Sequence, residues 1–287
     1  MAESIEPSTE ITRTLVDTLS DGAVLSFGLE SADPEVHEQN WLNCDPEQLK
    51  IAIRHINEYG RSRGERGLPK LLPGLNFIAG LNGETEASYQ MNLNLLRALR
   101  SERLWLRRIN IRQVEGQGFQ QIPEKIFRKF KREVRDEIDQ PLLEEMLPTG
   151  TILRDVWWES QDDRIRRPEQ VLDPSYRDEA IRGKPGVTFG RQIGAYPILV
   201  GAQYKIPLET SSDIMVTGHG KRSITGVELG LDVNTATQHQ LQSIPGIGSK
   251  GAWRLVSARA READGRFDSA EDAFAATQLE LPSYWTR

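Results

Sequence analysis

A chain of 287 residues, 38% of them hydrophobic, is long enough for two or three domains with real cores. No apolar run reaches the length that spans a bilayer, and the acidic, polar start from Met1 to Glu10 does not read as a signal peptide, which places the chain in the cytoplasm. A net charge of −6 argues against a wholesale polyanion binder, and the single cysteine, Cys44, excludes an internal disulfide and any all-cysteine metal or iron–sulfur site built by this chain alone.

Residues 1 to 20 read as a helix with Ile11, Leu15, Val16 and Leu19 on one face. Ala23 to Glu30 forms a buried strand with a polar, glycine-containing tip, and a helix follows from Pro46 to Tyr59. The linker RSRGERGLPK leads into a second buried strand, Leu71 to Ile78, closed by Ala79 to Thr85. A helix from Glu86 to Arg100, a strand from Leu106 to Val114 and a long charged helix from Pro123 to Glu145 complete this half. Such alternation implies parallel βαβ units, in which ligand groups gather at the carboxyl ends of the strands. From Arg100 to Arg135 eleven Lys and Arg face four Asp and Glu, either a solvated face or the lining of an entry for nucleic acid.

After Pro148 the period changes. Thr151 to Trp158, two strands within Gly186 to Gly201, Asp213 to Thr217 and Arg222 to Val227 make a short all-β unit interrupted by a charged insertion at 161–181. His219, between two glycines, reads as a turn residue. The predicted domains are therefore 1–148, 149–230 and 231–287.

In the last of these, Asn234 reads as the N-cap of a short helix that stops at Pro245, and Ser249 as the cap of a second with Ala252, Leu255, Val256 and Arg259 at helical spacing. Two short helices joined by Pro245-Gly246-Ile247-Gly248 resemble the helix-hairpin-helix motif of nucleic-acid-binding proteins, and the following G-x-F-x-S-x-x-D at Gly265 to Asp272 fits it. Glycines permit the tight turn, and the amides of Gly246, Ile247, Gly248 and Ser249 with the Lys250 charge would hold a phosphate of DNA or RNA. An αα-hairpin used for packing or protein contact fits the same residues. From Asn234 to Arg287 six Lys and Arg balance six Asp and Glu, so any phosphate contact is local.

FGLESAD at Phe27 to Asp33, LLPGLNFIAGLNGET at Leu71 to Thr85 and RRINIRQVEG at Arg107 to Gly116 resemble the second half of a radical SAM barrel, in particular the archaeal group with a C-terminal helix-hairpin-helix. The resemblance implies an α/β fold, the C-terminal half of a (β/α) barrel, with S-adenosylmethionine and a four-iron four-sulfur cluster as cofactors. It sets Gly28, Glu30 and Ser31 near the ribose and methionine of S-adenosylmethionine, Gly80 near its adenine, and Asn110 and Arg112 at the barrel mouth. The plainer alternatives are that Glu30 and Ser31 cap the next helix, that Gly80 and Gly83 are turn glycines, and that Asn110 and Arg112 satisfy each other. The order of strands after Pro148 resembles a TRAM-like β-barrel, an RNA-binding module, with Arg191, Tyr196, Lys221 and Arg222 as its phosphate and stacking candidates; Tyr196 fits equally in a barrel core.

The family's C-x-x-x-C-x-x-C loop is absent, so the cluster cannot be bound by this chain alone. Either a cysteine-bearing half comes from a separate chain or an upstream start, or the chain is a binding remnant. The expected function is correspondingly the C-terminal part of a radical SAM enzyme acting on nucleic acid, or a non-enzymatic nucleic-acid-binding protein; an assembly protein whose hairpin contacts another chain is a third reading.

Overall fold

The computed structural model describes residues 8–114, 116, 123–162, 186–282 and 285, and the chain divides into two compact units, 1–148 with 194–196, and 149–193 with 197–287.

In the first unit, strands Ala23–Glu30 (β1), Leu71–Ala79 (β2) and Arg108–Gln113 (β3) pair in parallel in that order, with Phe27 opposite Leu75 and Leu75 opposite Ile109. A parallel pair needs a crossover. Pro34–Asn40 (α2) and Pro46–Gly60 (α3) make the first and Glu86–Ser101 (α4) the second, while Thr9–Thr18 (α1) precedes the sheet. Leu29, Leu75, Phe77 and Ile109 on one face of the sheet share a core with Ile53, Leu93, Leu96 and Phe130 of the helices. By period two the opposite face carries Ser26, Gly28, Asn76, Asn110 and Arg112, of which Ser26, Gly28 and Arg112 are exposed. At this level the expected partial barrel is a three-stranded parallel sheet with a helical layer.

Two elements differ from the sequence-based expectation. Helix α2 occupies the tip after β1, because Asp33 accepts from the Glu35 amide at 3.0 Å and Pro34 stands at the first helical turn. The single charged helix is instead Glu124–Val134 (α5), a π-helical turn at Arg135–Asp139 and Gln140–Met146 (α6). Pro141 has no N–H for the Glu137 carbonyl, which accepts from Arg100 Nη1 at 3.0 Å instead.

In the second unit, Ile152–Asp162 (β4), Val187–Gln192 (β5), Leu199–Ala202 (β6), Ser211–His219 (β7) and Ser223–Glu228 (β8) close a barrel in the order β4-β5-β6-β8-β7. Every pair is antiparallel except β6 with β8. Val156, Trp158, Val200, Ile214 and Val216 fill it, and the two buried polar aromatics are satisfied: Tyr204 Oη accepts from the Glu228 amide at 3.0 Å and Trp158 Nε1 donates to Ser212 Oγ at 2.8 Å. Gln161 and Asp162 extend β4 rather than opening a loop, and the rest of the expected insertion lies outside the described residues. His219 ends β7 opposite Ile224 instead of standing in the turn. Three helices follow, Gln238–Gln242 (α7), Gly248–Arg259 (α8) and Ala270–Ala276 (α9).

Buried Asn57 ties the end of α3 to the chain entering β3: its Nδ2 donates to the Ile53 and Trp105 carbonyls at 2.9 and 3.0 Å, and its Oδ1 accepts from the Trp105 amide at 2.7 Å. Asn57→Ala deprives the Trp105 amide and carbonyl of this partner and is expected to cost about 2–3 kcal/mol in the first unit, measured by urea denaturation followed by circular dichroism.

Candidate nucleic-acid interface

The hairpin is built inward first. Leu241, Ile244, Ile247, Ala252, Leu255 and Val256 are buried, while Pro245, Gly246 and Gly248 of the connecting turn are exposed. Thr237, not Asn234, caps α7, in a box with Gln240, whose Oε1 accepts from the Thr237 amide at 3.0 Å. Asn234 serves as a clamp: its Nδ2 donates to the Phe267 carbonyl at 3.0 Å and its Oδ1 accepts from the Phe267 amide at 2.8 Å. Buried Arg259 donates to the Val233 and Ala236 carbonyls, both at 2.9 Å, and Ser269 caps α9 by accepting from the Asp272 amide at 3.1 Å.

With this frame in place, the turn has little freedom. Gly246 and Gly248 hold φ of 89° and 60°, in the left-handed region that other residues enter only with strain, and a β-carbon at either would meet open space. The first residue of α8 is Gly248, and the residue before it, Ile247, has a buried apolar side chain that caps nothing. Ser249 lies inside the helix and does not cap it. The amides of Gly248, Ser249 and Lys250, which have no intrahelical partner, are thus presented at an exposed surface with the positive end of the helix dipole behind them. That arrangement suits an oxyanion.

The other predicted residues fall in three places. On the barrel, Arg191 is exposed, pairs with Glu159 at 3.2 Å, and stands opposite Trp157 across the β4–β5 ladder. Exposed Lys221 and Arg222 form the β7–β8 turn; the registers Gly190↔Val200 and Leu199↔Ser223 bring that turn and Arg191 to the same rim. Tyr196 belongs to the first unit, with the Arg108 guanidinium 4.6 Å from its ring centroid and its carbonyl accepting from Arg107 at 2.9 Å.

On the sheet of the first unit, Gly28, Asn76 and Asn110 form one row across the strands, and Asn110 Nδ2 donates to Asn76 Oδ1 at 2.8 Å. Glu30 sits at a β-bulge with φ of 65°, and its carboxylate lies over Gly28: a β-carbon at Gly28 would approach Glu30 Oε1 to 2.5 Å. Burial pushes Glu30 above the ordinary carboxylate value, offset in part by Arg112, and its Oε2 is buried without a hydrogen-bond partner. Ser31 and Gly80 are used within the loops. Ser31 Oγ accepts from the Asp33 amide at 3.2 Å and its carbonyl meets His37 Nε2, while the Gly80 amide donates to buried Glu84 at 2.7 Å.

Two aromatic residues near these positions escaped sequence reasoning, Trp157 at 40% exposure and Trp253 at 51%. The periodicities contain both: inward Val156 and Trp158 turn Trp157 outward, and the stripe Ala252, Leu255, Val256 leaves Trp253 in solvent.

Residues 227–273 match the family model for the helix-hairpin-helix motif. The chain is 38% identical over 256 residues to an uncharacterised protein of Archaeoglobus fulgidus, covering 86% of this chain and 44% of the relative. It is 36% identical over 237 residues to an uncharacterised protein of Methanocaldococcus jannaschii, covering 79% of this chain and 40% of that relative. The chain thus spans less than half the length of these relatives, at 44% and 40%.

Within α7, His239 is buried, its Nδ1 2.9 Å from Gln242 Nε2 and its Nε2 unpartnered. Burial pushes its pKa below the ordinary 6.5. The unfolded chain therefore takes up a proton near pH 6.5 that the folded hairpin resists, so stability is full above that pH and falls as pH drops through it. Thermal melts of wild type and His239→Leu across pH 7.5 to 5 should show a decline in wild type that the variant lacks in part.

Proposed function

We propose that the chain binds nucleic acid through the Pro245–Lys250 turn. One observation carries this: an exposed helix start with no side-chain cap, opened by two left-handed glycines and followed by Lys250, within the stretch that matches a helix-hairpin-helix motif. Such a site takes a backbone phosphate and is indifferent to base sequence. The barrel is the natural second contact. Its first four strands lie in the order fourth-first-second-third, the Greek-key arrangement of small barrels that bind oligonucleotides, and this supports a TRAM-like role for Arg191, Lys221 and Arg222.

Lys250→Glu separates binding from folding, because an acidic residue in the first turn of α8 suits the helix dipole while repelling phosphate. The variant should melt at or above the wild-type temperature and bind a labelled oligonucleotide about tenfold more weakly. With two phosphates held, log affinity should fall against log salt with a slope of about −2. Unchanged affinity in the variant would remove the hairpin from the interface.

A second ligand is proposed for the exposed face of the parallel sheet. The supporting observation is Glu30, strained, partly desolvated and with one carboxylate oxygen unpartnered beside exposed Gly28. An ammonium or hydroxyl group beside Gly28 would meet this carboxylate at Oε1, the oxygen that lies over the glycine. S-adenosylmethionine, which the sequence resemblance implies, carries both, and Glu30, Asn110 and Arg112 are the side chains that would hold it. With a reducing cluster it would supply the radical that the resemblance implies, by reductive cleavage. A four-iron four-sulfur cluster does not fit these residues, since it needs three thiolates and Cys44 is the single cysteine; a cluster would require thiolates from another chain or from sequence beyond these 287 residues. Calorimetric titration with S-adenosylmethionine should give binding that Glu30→Gln weakens about tenfold. An absence of binding by wild type would end this assignment.

A further inference from the structure

The phosphate site on α8 has an exposed aromatic neighbour with no partner in the core. Trp253 lies three residues after Lys250 and four after Ser249, so all three share one side of the helix. The inward stripe of α8 is already filled by Ala252, Leu255, Val256 and Arg259, and Trp253 adds nothing to it. Exposed Lys250 lies one turn before the indole, Arg254 is turned to the Thr277 carbonyl at 3.0 Å, and the helix sequence GSKGAWRLVSAR contains no acidic residue. An indole bared beside a lysine and a hydroxyl is poorly matched to an apolar protein surface, which would pair with a wider apolar patch. It is well matched to a polyanion that also offers aromatic faces.

Nucleic acid has both, but not in every form. In an uninterrupted duplex each base face is covered by the next base pair. Single strands leave faces free, and stacking on an aromatic side chain is tolerant of sequence. From Ser249 to Trp253 the helix rises about 6 Å, so a phosphate at the helix start leaves a neighbouring base within reach of the indole. Building on the assignment of the hairpin as a phosphate site, we propose that its preferred ligand is single-stranded nucleic acid, and that Trp253 stacks on a base next to the phosphate held by the Gly248–Lys250 amides.

The test uses the full chain with a labelled oligothymidylate and a duplex of equal length, compared by fluorescence anisotropy at one salt concentration. Wild type should prefer the single strand. Trp253→Ala should lower single-strand affinity about tenfold or more while leaving duplex affinity unchanged, and Trp253→Phe should keep most of it. Equal losses on both ligands, or no loss on the single strand, would overturn the stacking role. Loss of both ligands in Lys250→Glu with neither lost in Trp253→Ala would leave the hairpin as a phosphate site and refute the single-strand preference. Failure of wild type to bind either ligand would refute both assignments.

Discussion

A helix start leaves amide groups that something must satisfy, and the way each start in this chain meets that demand separates its structural elements from its candidate interface. Ser8, Asp33, Asp45, Thr237 and Ser269 close the starts of α1, α2, α3, α7 and α9 with their own side-chain oxygens. Helix α8 has no such oxygen. Neither have α5 and α6, the latter continuing from the π-helical turn, but α8 alone of these three begins at a left-handed glycine whose missing side chain leaves the amides bare. Its first amides keep no intrahelical partner, and the rest of the hairpin fixes the turn that precedes them. Arg259 pins the chain before α7, Asn234 pins the chain before α9, and buried Ile244 and Ile247 fix the turn between them.

The same contrast runs through the sheet of the first unit. At the carboxyl end of β2 the chain fills its own anion site: Glu84 accepts from the Gly80 amide and from Tyr89 Oη at 2.8 Å, and burial raises the pKa of both side chains. At the end of β1, Asp33 accepts from Ser88 Oγ at 2.6 Å, and the Ala32 amide donates to Asn92 Oδ1 at 2.5 Å, which locks the β1 tip to α4. These groups are consumed by architecture. Glu30 is not, since its backbone is strained and one of its oxygens lacks a partner. Its carboxylate instead lies over exposed Gly28, which is the contrast on which the second proposed ligand rests.

Much of the architecture was legible because periodicity and turn chemistry act locally. The strands of the sheet, the switch to a β-unit after Pro148 and the hairpin around Pro245 follow from apolar spacing and from glycine and proline. Local signals also misled where several residues could do one job. Asn234 and Thr237 are both good caps, and only the docking of Phe267 decides that Asn234 clamps a distant backbone while Thr237 caps. Tyr196 read as a barrel residue by its place in the chain, yet it joins the first unit under Arg108.

The sequence by itself determined which residues can turn, cap and alternate, and hence the presence of a hairpin with amides free to bind an anion. That information is carried by neighbours within one helical turn or one strand. Tertiary structure decided what is spent and what is left over. It assigned Ser31 and Gly80 to loop bonds, laid Glu30 over Gly28, turned Trp157 and Trp253 to solvent, and brought Arg191 to the rim of Lys221 and Arg222. Such outcomes depend on which distant backbone group arrives within hydrogen-bond reach, and that is set by the packing of whole elements rather than by spacing along the chain.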